Sequence, residues 1–258
     1  MKVVILCGGF GTRIRDVADD IPKPMIPIGT KPILWHIMKY YASYGHKEFV
    51  LCLGYKGQAI KDFFINYEAH TKDFTITLGR AGTVQYHTDH DESDWRVTLV
   101  DTGLKAMTGA RIARIRKYVA DEDFMLTYGD GVGDIDLNRL VAFHRGHGKT
   151  LTLTGVRPPG RFGELDVKNG RAVAFNEKPQ TTDGLISGGY FVANPKIFNY
   201  LPDQEELVFE TAPMQQLVAE GNLMVHEHDG FWQPMDTTRE YQILNSLYTA
   251  GKAPWVRW

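Results

Sequence analysis

Short runs of apolar residues alternate with amphipathic stretches through the first part of the chain. Residues 2–7 and 47–53 form continuous apolar runs, which are typical of strands buried on both faces of a sheet. Residues 31–44 and 58–67 have apolar side chains at helical spacing. A strand, a helix, a strand and a helix in this order predict parallel strands joined by right-handed crossovers.

The rest of the chain mixes helical and strand patterns, and its second half is richer in strands. Helices are predicted at residues 108–118, 135–147, 196–201, 210–221 and 238–251. Strands are predicted at residues 124–128, 149–156, 164–168, 170–177 and 188–192, with shorter ones within 74–101. We therefore expect an α/β fold: a Rossmann-like, mixed and mostly parallel sheet flanked by helices, with β-rich insertions in the second half. No repeat or linker divides residues 1–258, so one domain is predicted.

Composition and charge narrow the classes of partner. The formal net charge of −2 gives no basis for a nucleic-acid partner, because proteins that bind phosphate backbones need a basic surface. The basic residues 111–117 have the spacing of an amphipathic helix with an exposed face, although Arg111 could instead meet a ligand. No apolar stretch reaches the length of about 18 residues that a membrane span needs. Cys7 and Cys52 lie in apolar runs and indicate reduced core thiols, so a cytoplasmic location is predicted.

A glycine-rich loop follows the first predicted strand. Gly8, Gly9 and Gly11 would let the backbone approach a ligand, with N–H groups directed at a phosphate. Arg13 would add a planar cation for phosphate oxygens. The spacing fits neither the dinucleotide-binding nor the Walker motif, and a plain strand-to-helix turn is the alternative. Lys23 stands between Pro22 and Pro24, which suits a fixed ammonium or, alternatively, a solvated lysine in a rigid turn.

Two aspartates are candidate magnesium ligands. Asp130 ends a buried strand between two glycines, and ligands of open α/β sheets bind at the carboxyl ends of strands. Asp236 is the candidate second carboxylate, and Mg²⁺ commonly uses one or two carboxylates together with phosphates and water. A turn at Asp130 and a helix N-cap at Asp236 are the alternatives. His87 and His90 lie in an acidic loop that could bind a metal, although a solvated loop is the favoured interpretation.

Five segments together resemble the sugar nucleotidyltransferases, also called NDP-sugar pyrophosphorylases. They are G-G-F-G-T-R at 8–13, P-K-P at 22–24, T-Y-G-D-G-V at 127–132, F-N-E-K-P at 175–179 and F-W-Q-P-M-D-T at 231–237. The resemblance spans almost the whole chain. It implies transfer of a nucleotidyl group to a sugar 1-phosphate with release of pyrophosphate. Further likeness at residues 31–39, 99–103 and 158–163 implies CTP and glucose 1-phosphate as substrates, with UTP or dTTP as alternatives to CTP.

The resemblance also implies roles for individual residues. Residues about 1–150 would bind the nucleotide, through Leu6, Cys7, Gly8, Gly9, Gly11, Thr12, Arg13, Lys23, Thr102, Arg111 and Gly129. Residues about 151–258 would bind the sugar phosphate, through Gly163, Glu177, Lys178, Gly189 and Tyr190, whose ring would stack on the sugar. Arg13, Lys23 and Asp130 would act in catalysis, with Mg²⁺ held by Asp130 and Asp236. Cys7 departs from the family, in which alanine is usual at that position.

Other functions remain open at this point. A non-catalytic nucleotide-sugar sensor on the same fold could lose Arg13, Lys23 or the aspartates, all of which are present. A glycosyltransferase would use a D-x-D motif, and Asp134 and Asp136 have that spacing, although they look like a helix start. The aromatic tail, residues 254–258, is predicted to dock on another surface such as a neighbouring subunit, so a homo-oligomer is expected.

Overall fold

The computed structural model describes residues 1–11, 14, 20–79, 83–158 and 184–258, and the backbone of 164–168 and 171–176. In this part of the chain the strands are β1 (Val3–Leu6), β2 (Pro27–Ile28), β3 (Lys31–Pro32), β4 (Glu48–Leu53), β5 (Phe74–Ile76), β6 (Val84–Tyr86), β7 (Arg96–Asp101), β8 (Phe124–Tyr128), β9 (Gly131–Gly133), β10 (Leu151–Val156), β11 (Glu164–Lys168), β12 (Arg171–Asn176), β13 (Ile186–Ala193), β14 (Leu223–His228) and β15 (Trp232–Pro234). The helices are α1 (Ile33–Ser43), α2 (Gly57–Ile65), α3 (Tyr67–Thr71), α4 (Thr108–Arg114), α5 (Arg116–Val119), α6 (Leu137–His147), α7 (Ala212–Ala219) and α8 (Thr238–Thr249), with short 3₁₀ turns at Lys23–Met25 and Pro195–Tyr200.

A mixed, mostly parallel sheet of seven strands forms the centre of the fold. Its order is β14–β10–β13–β8–β1–β4–β7. Strand β13 is antiparallel to both of its neighbours, β8 and β10, whereas the other pairs of neighbouring strands are parallel. The sheet runs without a break from strands of residues 1–150 to strands of residues 151–258. The predicted fold class is confirmed, including the β-rich second half, where β11 pairs with β12.

The continuous apolar run of β1 is explained by burial on both faces of the sheet. Val3 and Ile5 belong to one hydrophobic cluster, which includes side chains of α1 and α8. Val4 and Leu6 belong to a second cluster, which includes side chains of α4 and α7. Successive side chains of a strand point to opposite faces, so every residue of β1 is apolar.

Several features differ from the sequence-based expectation. The central sheet gains an edge strand, β14, which pairs with β10 but has only half-buried or exposed side chains and three polar residues. Without a buried apolar run, its sequence, L-M-V-H-E-H, carries little strand signal. The helix predicted at 108–118 divides at Ile115 into α4 and α5. The short ladder between β9 and β15 was also not expected.

The aromatic tail packs on its own chain. Trp255 is 0% exposed, and its ring stacks on Phe231 with centroids 5.7 Å apart. The guanidinium of Arg257 lies 4.0 Å above the ring of Tyr44. Trp255 and Arg257 thus pack within the protomer, whereas Trp258 is 40% exposed, so docking of the tail on a neighbouring subunit stays a prediction. Among the described residues, no helix combines the length and apolarity needed to cross a bilayer.

Candidate active site

A cavity of about 390 Å³ opens where β1 and β8 end. It is lined by Leu6, Cys7, Gly8, Gly9, Phe10, Gly11, Ile14, Lys23, Pro24, Lys105, Ala106, Met107, Thr108, Arg111, Tyr128, Gly129, Asp130 and Asp236. The cavity lies at the carboxyl ends of parallel strands, which is where open α/β sheets bind their ligands. Its lining joins the glycine loop to the lysine and both aspartates that the sequence singled out.

Several predicted site residues cannot be compared with this cavity. Thr12, Arg13, Gly163, Glu177 and Lys178 lie outside the described residues. Their roles stay predictions.

Arg111 is a buried cation that packs against the glycine loop. Its guanidinium donates hydrogen bonds to the carbonyl oxygens of Gly8 (3.0 Å), Leu53 (2.9 Å) and Gly103 (2.9 Å). The side chain is only 4% exposed, and a Cβ built on Gly8 would lie 2.2 Å from its Cζ. Gly8 is therefore required for close packing against a buried cation. That cation adds positive charge beneath the loop, where phosphate is expected to bind.

Thr102 contacts Arg111 and does not line the cavity. Its side chain is buried, its hydroxyl donates to the carbonyl oxygen of Leu53 (2.6 Å), and it accepts a bond from Arg111 (2.8 Å). We therefore correct the predicted nucleotide contact of Thr102: the hydroxyl orients Arg111, because burial leaves it no access to a ligand.

Cys7 lines the cavity as a neutral thiol. Burial raises its pKa well above the ordinary value, and the neighbouring Cys52 and Asp130 raise it further. Cys52 is also buried, and both thiols are free. A neutral thiol is a poor nucleophile, so Cys7 serves as a small core residue at the floor of the cavity.

Lys23 lies between the two candidate metal ligands. Its Nζ donates a hydrogen bond of 2.6 Å to Asp130 Oδ2 and another to Asp236 Oδ1. Burial alone would lower the pKa of Lys23, but the two carboxylates outweigh that effect and raise it. The lysine is therefore a firmly protonated ammonium at the rim of the cavity. We name Lys23, Asp130 and Asp236 together the Lys23 cluster.

Backbone pairing explains how two aspartates so far apart in sequence converge. Asp130 immediately precedes β9, and Asp236 lies two residues after β15. The two strands pair with Gly131 opposite Pro234, and Met235 N donates to Asp130 O over 2.8 Å. The ladder that the sequence did not predict is thus the element that brings the carboxylates together.

Asp236 does not cap the helix that follows it. Thr237 is the N-cap of α8, and its side chain forms a capping box with Glu240. The capping alternative for Asp236 is therefore wrong, and its carboxylate is left to face Lys23.

The D-x-D alternative also fails, because the side chain of Asp136 accepts bonds from Asn138 N and Arg139 N at the start of α6.

The donor set of the Lys23 cluster fits a magnesium ion. The carboxylates of Asp130 and Asp236 converge on one point at the cavity. Mg²⁺ commonly binds one or two protein carboxylates, together with phosphates and water. Within the described residues, no group of three or more histidine, cysteine, aspartate or glutamate side chains is arranged to hold a metal. His87 of the acidic loop contacts Thr75, and His90 contacts Glu68 and Glu92, without forming such a group.

Tyr128 and Thr108 are cavity residues that sequence reasoning missed. The Tyr128 hydroxyl donates to Glu210 Oε1, and the Thr108 hydroxyl donates to Glu210 Oε2 over 2.6 Å. Burial raises the pKa of Tyr128, and Glu210 raises it further, so the phenol remains neutral. Tyr128 ends a predicted strand and directly precedes Gly129, so its position at a strand end could have signalled a place in the site.

Tyr190 is a core residue, which corrects its predicted role. Its side chain is 1% exposed and stacks on Tyr41 with ring centroids 5.8 Å apart. A ring buried in this way cannot stack on a sugar. Gly189 has φ +74°, and a Cβ there would lie 2.5 Å from the ring of Tyr128. Gly189 is therefore needed for close packing against Tyr128, and its contact with a sugar stays a prediction.

Residues 2–249 match the sequence profile described as "Nucleotidyl transferase". The chain belongs to the nucleotidyl transferase family. Glucose-1-phosphate cytidylyltransferase of Salmonella typhimurium is 48% identical to this nucleotidyl transferase, over the full length of both proteins. A probable glucose-1-phosphate cytidylyltransferase of Bacillus subtilis is 43% identical, also over both full lengths. The resemblance inferred from the sequence motifs is therefore confirmed.

The fold of this nucleotidyl transferase is also found among solved structures. HddC from Yersinia pseudotuberculosis matches it with a TM-score of 0.70 and 24% sequence identity. The match covers 96% of this chain and 99% of that chain. At this identity the match supports the shared fold and nothing finer.

Proposed function

We propose that this nucleotidyl transferase joins CTP to glucose 1-phosphate, giving CDP-glucose and pyrophosphate. The observation that carries the proposal is the Lys23 cluster, placed at the rim of a cavity floored by glycines. The full-length similarity to glucose-1-phosphate cytidylyltransferase of Salmonella typhimurium supports the choice of substrates. Residues about 1–150 would bind the nucleotide and residues about 151–258 the sugar phosphate.

The reaction needs positioned charge more than a covalent nucleophile. A phosphate oxygen of glucose 1-phosphate attacks the α-phosphorus of CTP, and the bond from the α-phosphorus to the β-phosphate oxygen breaks. The attacking oxygen is already ionised, so no general base is required. Enzymes accelerate such transfers by holding the groups in line and by neutralising the charge that develops.

The chain's own groups can be assigned to these tasks. The backbone of Gly8–Gly11 approaches the phosphates, with the cation of Arg111 beneath it. Lys23 neutralises charge on the attacking and α-phosphate groups, and Arg13 is assigned to the leaving β- and γ-phosphates. Glu177, Lys178 and Gly163 are assigned to the sugar phosphate on the strength of the motifs alone.

Asp130 and Asp236 would hold the magnesium ion. When bound, Mg²⁺ supplies positive charge against the phosphate oxygens in the transition state. Removal of divalent cations with a chelator is therefore expected to abolish turnover, and added Mg²⁺ to restore it. Undiminished turnover in the chelator would contradict this assignment.

A substrate panel tests the proposal directly. The protein is incubated with glucose 1-phosphate, Mg²⁺ and, in separate reactions, CTP, UTP, dTTP, GTP or ATP, and released pyrophosphate is measured. We expect the highest turnover number with CTP. Preference for UTP or dTTP would change the base but keep the reaction. Tight binding of a nucleotide without pyrophosphate release from any of them would instead indicate a nucleotide-sugar sensor.

We also propose that the protein is a cytoplasmic homo-oligomer. The hairpin of β5 and β6 exposes Phe74, Ile76 and Val84, and an exposed apolar surface of this kind supports self-association. The two free buried thiols suit a reducing compartment. Light scattering after size-exclusion chromatography tests the assembly, and a monomeric mass at micromolar concentration would contradict it.

A further inference from the structure

The ammonium of Lys23 uses the carboxylate oxygens that a magnesium ion would need. It contacts Asp130 Oδ2 at 2.6 Å and also contacts Asp236 Oδ1. The lysine side chain is 12% exposed, and the two aspartates are 33% and 39% exposed. Two carboxylates held this close together repel each other unless a cation lies between them. In the structure, Lys23 supplies that cation.

The backbone around Lys23 is restrained, whereas the ammonium group of its side chain can move. Pro22 has φ −69° and ψ 148°, and Pro24 follows, so the backbone on both sides is restrained. The four-carbon stem leaves the ammonium free to change partners without a change in the backbone. The stem also starts beside the glycine loop, because a Cβ built on Gly11 would lie 3.1 Å from Lys23 Cβ.

We infer that Lys23 is the resident counter-cation of the aspartate pair in the free enzyme, and that it gives way to the divalent cation when a nucleoside triphosphate binds. The triphosphate offers the ammonium new oxygens near the glycine loop, which frees the two carboxylates. A divalent cation alone offers the lysine no such alternative, so it competes poorly. Metal binding and nucleotide binding are thus coupled through one side chain. This inference rests on the function proposed above.

Manganese binding measured by electron paramagnetic resonance tests the inference without any turnover. Free Mn²⁺ is titrated into the wild-type enzyme, Lys23→Gln and the control Lys47→Gln, all without nucleotide. Lys47 is an exposed lysine whose ion pair with Asp94 lies outside the cavity, so its removal changes net charge equally. We expect Lys23→Gln to bind Mn²⁺ at least about tenfold more tightly than wild type, a change of about 1.4 kcal/mol. Lys47→Gln should match wild type.

The effect of nucleotide on Mn²⁺ binding provides a second measurement, made on wild type and Lys23→Gln in parallel. A non-hydrolysable CTP analogue should strengthen Mn²⁺ binding to wild type far more than to Lys23→Gln, since the variant has no lysine to displace. Asp130→Asn should weaken Mn²⁺ binding in both backgrounds, which locates the ion. Circular dichroism checks that each variant is folded.

Specific results would overturn the inference. Equal Mn²⁺ affinity of wild type and Lys23→Gln without nucleotide would show that the lysine does not compete. Tighter binding that persists in the double variant with Asp130→Asn would place the ion elsewhere. Either result could occur in an enzyme that releases pyrophosphate normally, so the inference can fail while the proposed function stands. Failure of the substrate panel would instead refute the function.

Discussion

Lys23 and Lys39 each contact two carboxylates, and the comparison between them separates a candidate functional site from a structural ion cluster. Lys39 contacts Glu92 at 2.5 Å and Asp91 at 3.4 Å, and we name these three residues the Lys39 cluster. The side chains of Lys39 and Lys23 are 10% and 12% exposed, so burial does not distinguish them. The difference lies in where their carboxylates come from and in what surrounds them.

The carboxylates of the Lys39 cluster are neighbours in one loop, which the lysine fastens to α1. Glu92 lines a second cavity of about 290 Å³, which contains aromatic side chains such as Phe64, Tyr67 and Trp95. No glycine is among the lining residues of that cavity, so its backbone offers no close approach to a phosphate. The Lys23 cluster instead gathers two distant chain segments beside a glycine loop. The position beside a glycine loop, more than the ion pairs themselves, therefore distinguishes the candidate active site from the Lys39 cluster.

The sharpest test of the comparison removes one carboxylate from each cluster. Asp130→Asn keeps the side-chain shape but deletes the charge that would hold the metal. We expect its turnover number to fall by about 10²–10³-fold, the range seen when one group that stabilises a transition state is lost. Glu92→Gln, the matched control, should keep the wild-type turnover number. Comparable losses in the two variants, measured by pyrophosphate release, would remove the distinction between the clusters.

The sequence revealed the separate parts of the site, but not how they are brought together. The glycine loop, Lys23 and Asp130 could be identified from their local context, and Asp236 from its place in a segment that resembles the family. Their convergence depends on the ladder between β9 and β15, two strands of three residues each whose sequences carry no periodic signal. The role of Thr102 could not be predicted either, because its burial is set by long-range packing around Arg111.

Tyr190 shows the opposite limitation. A tyrosine after two glycines suggests an aromatic platform for a sugar, yet β13 lies inside the sheet between β8 and β10. Its side chain therefore enters a hydrophobic cluster next to Tyr41. The position of a strand within a sheet depends on the whole topology. A local motif could not distinguish a ligand-facing ring from a core ring.

His36 is a buried histidine that connects the helix of Lys39 with the segment that follows Lys23. It lies on α1 with Lys39, and its Nε2 donates to the carbonyl oxygen of Ile28, a few residues after Lys23. Burial lowers its pKa to about 4. The unfolded chain has an ordinary histidine pKa of about 6.5, so between these values it binds a proton that the folded state does not. Folding stability therefore falls as the pH drops from about 6.5 to about 4, by at most about 3 kcal/mol.

Urea unfolding at several pH values in this window measures the effect. The wild-type enzyme is compared with His36→Gln, which cannot take up the proton. We expect the free energy of unfolding to depend less steeply on pH in the variant, because other histidines still contribute to both proteins. Parallel curves for the two proteins would show that His36 does not titrate in this way.

The smallest expected effect separates stability from catalysis at Lys39. Lys39→Met leaves the nearly buried Glu92 without its closest cation, and we expect the free energy of unfolding to fall by about 2 kcal/mol, between the values for exposed and buried ion pairs. Turnover should stay at the wild-type value, because the Lys39 cluster does not line the candidate active site. Lys47→Met, which removes an exposed lysine paired with Asp94, should change stability by no more than about 1 kcal/mol. Slower pyrophosphate release by a folded Lys39→Met variant would contradict this expectation. The Lys39 cluster would then take part in catalysis and could not be treated as purely structural.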